Sequence, residues 1–251
     1  MAKKEAYALT LRQIPESEWV AFLLKESNLP GPRGNLELVQ AAADEGSLEQ
    51  FLAWLAYTPE QTPPDTPLEF LPVCAAVGLG RLLAEGRSRS AELLSRLREL
   101  ASDPRWRVRE GAAMALQRLG EKDMPRLIAV GVDWAEGNPY EMRAAAAGLC
   151  EPALLKNPGQ AGQVLAVLDR ITRHIAGMEE RKSEGFKALR KGMAYCWSVA
   201  AAAHPQAGKP LMEKWAACPD ADVQWIIREN LKKDRLARMD ADWVARLRDK
   251  V

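Results

Sequence analysis

Apolar side chains recur along this chain in three- and four-residue steps, the spacing that gathers them on one face of an α-helix. Between residues 5 and 27 the stripe is Trp19, Val20, Phe22, Leu23 and Leu24, which predicts one or two helices. Leu29-Pro30-Gly31-Pro32-Arg33-Gly34-Asn35 breaks the pattern and ends on Asn35, a predicted N-cap for a helix over Leu36 to Asp44. Ser47 is placed to cap a second helix through Tyr57, and the proline-rich stretch Thr58 to Pro67 reads as a connection. Helices are predicted again at Leu68 to Glu85 and Ser90 to Ala101, and later at Met124 to Val132, Gln160 to Ala176 and Lys209 to Ala217. No stretch alternates apolar and polar residues for long enough to predict a strand. Ala and Leu dominate, β-branched residues are scarce, and the fold class expected is all-α.

The centre of the pattern is Ser102 to Glu110 and the Ala-rich helix from Gly111 to Leu119. Asp103 followed by Pro104 is the combination of a side-chain cap and a first helical residue that needs no amide partner. Trp106 and Glu110, four residues apart, share a helix face. The unit then recurs. Val108-Arg109, Met142-Arg143, Leu189-Arg190 and Ile227-Arg228 are each an apolar residue followed by Arg, at spacings of 34, 47 and 38 residues. Asn138-Pro139 repeats the cap-then-proline start, and Asp222 precedes Arg228 by six residues, as Asp103 precedes Arg109. Periods of this size, one helix pair each, predict an α-solenoid. Weaker counterparts around Val39 and Val73 extend it toward the N-terminus. The organisation expected is one repeat domain over 1–251, with N-terminal helices in 5–34 and repeats near 35–66, 67–101, 102–136, 137–180, 181–219 and 220–251.

Charge adds an asymmetry that the net value of +1 hides: residues 1–75 carry 5 Lys and Arg against 11 Asp and Glu, and the rest carry 30 against 23. An acidic end and a basic body follow. Arg87, Arg89, Arg96, Arg98, Arg105, Arg107 and Arg109 form one basic run, and Arg228, Lys232, Lys233, Arg235 and Arg238 form another. Either run can grip phosphate or simply be solvated among the neighbouring acids. Cys74, Cys150, Cys196 and Cys218 are far apart and mostly set among apolar residues, which reads as buried reduced thiols rather than a metal site or disulfides. His174 and His204 lack spaced Cys or carboxylate partners, so no metal is expected. Gly78-Leu79-Gly80 has Leu83 where a dinucleotide fingerprint needs its third glycine. No apolar run approaches the ~20 residues of a membrane span. A cytoplasmic monomer without membrane or cofactor is the expectation.

Three segments carry a resemblance. Leu189-Arg190-Lys191-Gly192-Met193-Ala194-Tyr195-Cys196-Trp197-Ser198, continuing to Ala203-His204-Pro205, has an Arg-Lys pair opening a helix, an aromatic five residues after the Arg and a closing residue-Pro pair. Asn138-Pro139-Tyr140-Glu141-Met142-Arg143-Ala144-Ala145 matches an Asn-x-aromatic-x-x-Arg-x-Ala helix start, and Trp106-x-x-x-Glu110 stands where a Trp-x-x-x-Asp is found. Together they resemble HEAT repeats, and within them the AlkD-like DNA alkylation-repair proteins, over roughly residues 35 to 236. The fold this implies is a right-handed α-α superhelix of HEAT-like repeats.

The resemblance implies an alkylpurine DNA glycosylase that binds duplex DNA. Trp106 and Glu110 would act at the damaged nucleotide, and Arg143 and Tyr195 would line the groove with them. Arg109, Arg190, Lys191 and Arg228 complete the nucleic-acid-binding set. Two departures from the family pattern are Glu for Asp at Glu110 and Tyr for Trp at Tyr195. An N-alkylated purine is already cationic and leaves readily, so a carboxylate beside the sugar stabilises an oxocarbenium-like centre. An indole face attracts the same cation by ~0.5–2 kcal/mol.

The residues also admit a purely structural use. Trp106, Tyr140 and Trp225 each stand three before an Arg of the repeat, and Glu follows the Arg at both Glu110 and Glu229. Such positions serve packing between helices, and each Arg can bond a cap carboxylate or a neighbouring carbonyl. On that reading the protein is a non-catalytic scaffold whose groove takes a protein or peptide partner.

Overall fold

The computed structural model describes residues 3–86 and 89–251, and every regular element among them is helical. The chain divides into two compact units, Met1–Lys122 and Asp123–Val251. The first holds α1 (Lys3–Gln13), α2 (Glu16–Glu26), α3 (Leu36–Glu45), α4 (Leu48–Leu55), α5 (Phe70–Ala84), α6 (Ser90–Ala101) and α7 (Trp106–Lys122). Asn35 caps α3 by accepting from the Leu38 amide, and Ser47 and Gln50 form a capping box on α4. The sequence reading of 5–27 resolves into two helices because Pro15 starts the second.

The centre of this unit is α5, which packs against α3, α4, α6 and α7. Pro67–Ala84, which includes Glu69 and Arg81, is long and apolar enough to cross a membrane by length and composition alone. Most of that stretch is buried against its own unit, and a helix apolar all round is what a core position demands. Gly78 and Gly80 are packing residues. A Cβ on Gly78 would enter the Phe51 ring, and one on Gly80 would fall well inside contact distance of the Ala115 backbone on α7. Gly80→Ala is therefore expected to destabilise by ~1–3 kcal/mol through overpacking, despite the up to ~1 kcal/mol that alanine gains in helix propensity. Gly177→Ala, at the end of a helix and with open space around its Cβ, is the control and should be neutral or stabilising. Urea denaturation of both variants checks the pair.

The second unit holds α8 (Met124–Trp134), α9 (Pro139–Leu149), α10 (Pro158–Gly177), α11 (Glu184–Ala203), α12 (Pro205–Ala216), α13 (Ala221–Leu231), α14 (Asp234–Met239) and α15 (Ala241–Arg248). Its core helix is α11, which contacts α9, α10, α12, α13 and α14. The buried amide of Asn230 ties α13 to it: Nδ2 donates to the Met193 carbonyl at 2.8 Å and Oδ1 accepts from the Ser198 amide at 2.8 Å. Asn138 caps α9 as its sequence predicts. Two starts differ from expectation. Regular helix in α7 begins at Trp106, after Asp103 has taken the Arg105 amide and the Arg105 guanidinium, and α13 is capped by Asp220, two residues before Asp222. Asp222 is thereby released for ion pairs.

Candidate functional site

Two buried arginines, Arg105 just before α7 and Arg107 in its first turn, fix the position of this helix start. Arg105 is almost fully buried, held by Asp103 and bonded to Thr62 and to the Tyr57 carbonyl. Arg107 is 6% exposed and reaches Glu69 at 3.0 Å, Asp65 at 2.5 Å and the Gly31 carbonyl at 2.8 Å. Both arginines thus bind the proline-rich stretches that read as connections. Glu69 is fully buried; its Oε1 and the Arg107 Nε lack hydrogen-bond partners, so this ion pair is incompletely satisfied.

Trp106 and Glu110 point the other way, and both line one cavity of about 510 Å³. Its walls are apolar, with Pro32, Leu36, Val39, Phe70, Val73 and Met114, and Arg33, Glu37 and Arg107 add charge. Trp106 is 45% exposed. The Arg107 guanidinium lies 4.4 Å from the indole centroid, its charge balanced by Glu69 and Asp65, and the indole keeps a large open surface. The equivalent aromatics are packed instead. Trp225 lies under the Arg190 guanidinium at 3.8 Å, and Tyr140 sits against α11 at Gly185.

The repeat arginines have separate uses. Arg109 donates to the carbonyls of Asp103 at 2.6 Å and Pro104 at 2.9 Å, which ties the start of its own helix. Arg190 pairs with Asp222 at 2.7 Å while covering Trp225. The Arg143 stem passes over Gly192, where any side chain would crowd its Cγ, and Arg143 is half-buried. Lys191 and Arg228 are exposed, with no carboxylate partner among the described residues. Tyr195 is also exposed; its hydroxyl accepts from Arg235 at 2.6 Å, and that guanidinium lies 4.5 Å from the ring centroid. Of the first basic run, Arg89 pairs with Glu92 and Arg96 with Glu99, and Arg87 lies outside the described residues. Among the described residues no group of three or more His, Cys, Asp or Glu is placed to hold a metal ion.

Ion pairs set the response to acid. Burial pushes the Asp220 carboxyl up, and bonds from Arg181 and the Val223 amide outweigh this and hold it below the usual range. The Lys209 hydrogen bond, with the Trp243 amide, holds Asp240 low. In the first unit burial raises Asp44, and Lys4 and Arg118 more than offset it. A carboxyl whose pKa is lower folded than unfolded stabilises fully above the ordinary value of ~3.9, and that contribution is lost as pH falls through the lowered value. The melting temperature is expected to hold down to about pH 4 and to fall below it. A rise on acidification in that window would contradict the assignment.

No protein-family model and no curated protein matches this sequence. Among solved structures the chain is similar to AlkD2 from Streptococcus mutans, at 23% identity over 86% of this chain and 97% of that chain, with a TM-score of 0.61. An engineered protein aligns over 95% of this chain and 98% of its own at 16% identity, with a TM-score of only 0.36, too low to establish a shared fold. The chain has an AlkD-like HEAT-repeat fold, all-α and built of helical repeats.

Proposed function

We propose that this protein binds duplex DNA and that the cavity bearing Trp106 and Glu110 receives an N-alkylated purine nucleotide, whose glycosidic bond Glu110 helps to break. The observation that carries this reading is that both residues line one partly open cavity, with Trp106 exposed where Tyr140 and Trp225 are packed. The resemblance of the sequence around Asn138 and Leu189, and the AlkD-like fold, support it.

The chemistry follows from charge. A cationic alkylpurine leaves C1′ with the bonding electron pair as a neutral base, and the positive charge passes to the C1′–O4′ unit. The Glu110 carboxylate stabilises that centre, and water then adds to C1′ and loses a proton. Trp106 holds the cationic base by its indole face before departure. Arg143, Lys191, Arg228 and Tyr195 contribute backbone contacts, which fix register without reading sequence. Arg109 and Arg190 act through the scaffold, holding a helix start and Trp225.

A second reading, a groove for a protein or peptide, draws on the apolar walls of the cavity and on the intramolecular bonds of Arg109 and Arg190. Binding of a fluorescent duplex over a salt series separates the two. Nucleic-acid binding requires an affinity that falls steeply with salt, at ~0.9 in log K per log salt for each phosphate neutralised. No binding at low salt, or a flat response, would leave the scaffold reading.

A further inference from the structure

Beyond Arg228, the last basic run has no part in the chemistry above. Lys232, Lys233, Arg235 and Arg238 border a cavity of about 610 Å³ in the second unit, with Val199 in its apolar floor and Asp234 as its one acidic lining residue. Several other cations of this unit are paired with carboxylates, Arg170 with Glu136, Arg181 with Asp220, Arg190 with Asp222, Lys209 with Asp240 and Lys214 with Asp169, whereas among the described residues the exposed Lys191 and Arg228 are not. Around this cavity such cations are gathered together. Lys233 and Arg238 have no carboxylate partner among the described residues, and Arg235 is engaged by the Tyr195 ring and hydroxyl. Of the four, Lys232 alone meets an acid among the described residues, Glu229 at 2.5 Å.

Lys233, Arg235 and Arg238, with Asp234 the one acidic lining residue and Lys232 neutralised by Glu229, repel one another in a shared concavity, and an anion with several oxygens relieves that repulsion. Arginine offers a fork of donors suited to phosphate, and lysine a point charge. The contact of Arg235 with Tyr195 restrains one fork toward a fixed direction, so that end of the cavity is preorganised.

We infer that this cavity is an anchor for the phosphodiester backbone of DNA, a site made of different residues from the Trp106 and Glu110 cavity and indifferent to the lesion. The inference rests on the reading that DNA is the partner. It assigns the anchor to affinity and register, whereas base selection belongs to the first cavity.

The test uses the full chain and an unmodified fluorescent duplex over a salt series, comparing wild type with Lys233→Gln/Arg238→Gln. Arg235 is left intact because it holds Tyr195. Loss of two phosphate contacts should reduce the slope of log K against log salt by roughly 2 and weaken binding more than tenfold at low salt. The melting temperature should be unchanged, since neither side chain has a carboxylate partner to lose. An unchanged slope and affinity in the double variant would overturn the anchor and leave the first cavity's role intact. Wild type that does not bind the duplex would also overturn it, as would poly-L-glutamate displacing DNA with equal strength, which would make the surface a site for acidic protein. Failure of wild type to prefer methylated DNA, with the salt slope still dependent on Lys233 and Arg238, would sink the lesion reading alone.

Discussion

Replacing Arg107 with alanine is expected to destabilise the first unit by about 3–5 kcal/mol, because it strands the fully buried Glu69 carboxylate without its cation. The attraction between the two charges is not itself the whole effect. Desolvation has already been incurred by both, and removing one leaves the other's cost uncompensated. Arg107 also bonds the Gly31 carbonyl and Asp65, so the variant frees both proline-containing segments from α7. Urea denaturation followed by far-ultraviolet circular dichroism measures the loss. Arg107→Met with Glu69→Gln, which removes both charges, should recover much of it, and a single variant within 1 kcal/mol of wild type would contradict the burial argument.

Glu110→Ala is expected to lower the rate of base release by ~10²–10³, the scale for removing one preorganised electrostatic group from a developing charge. Glu110→Gln should fall nearly as far, since it preserves shape and loses the negative charge. Trp106→Ala should cost less, on the order of 10-fold, in keeping with ~0.5–2 kcal/mol for a cation over an indole. Single-turnover rates on a methylated duplex give these ratios free of product release. A Glu110→Gln variant at the wild-type rate would assign Glu110 to packing.

The sequence displays the helix starts because their chemistry is local. Asn35, Ser47 and Asn138 bond amides two or three residues away, so the cap and its helix can be read together. Ser90 to Ala101 is bounded in the structure as in the sequence pattern. The partners of Arg107 lie 38, 42 and 76 residues away, in segments whose prolines signal only a break in helix. Nothing near Pro32 or Asp65 marks them as the wall and the tether of a cavity.

The repeat motif illustrates the same limit at the site. Trp106-Arg107-Val108-Arg109-Glu110 and Trp225-Ile226-Ile227-Arg228-Glu229 are alike in sequence, yet Trp106 is open and Trp225 lies beneath Arg190. The difference is made by a residue of α11. Likewise Arg109 and Arg190 occupy matching repeat positions, but one binds carbonyls just before its own helix and the other a carboxylate on α13. A pattern within one helix identifies the position; the helix packed beside it determines the use. For the last basic run, composition shows the charge, and only the fold shows a shared cavity with few acids.

The central claim, that the Trp106 and Glu110 cavity acts on an alkylated purine in DNA, is tested most directly by incubating the protein with duplex DNA containing N-methylated purine and separating any free base by chromatography. The expected result is released methylpurine from wild type and little from Glu110→Ala at equal protein concentration. Absence of release from wild type, or equal release from both, would contradict it.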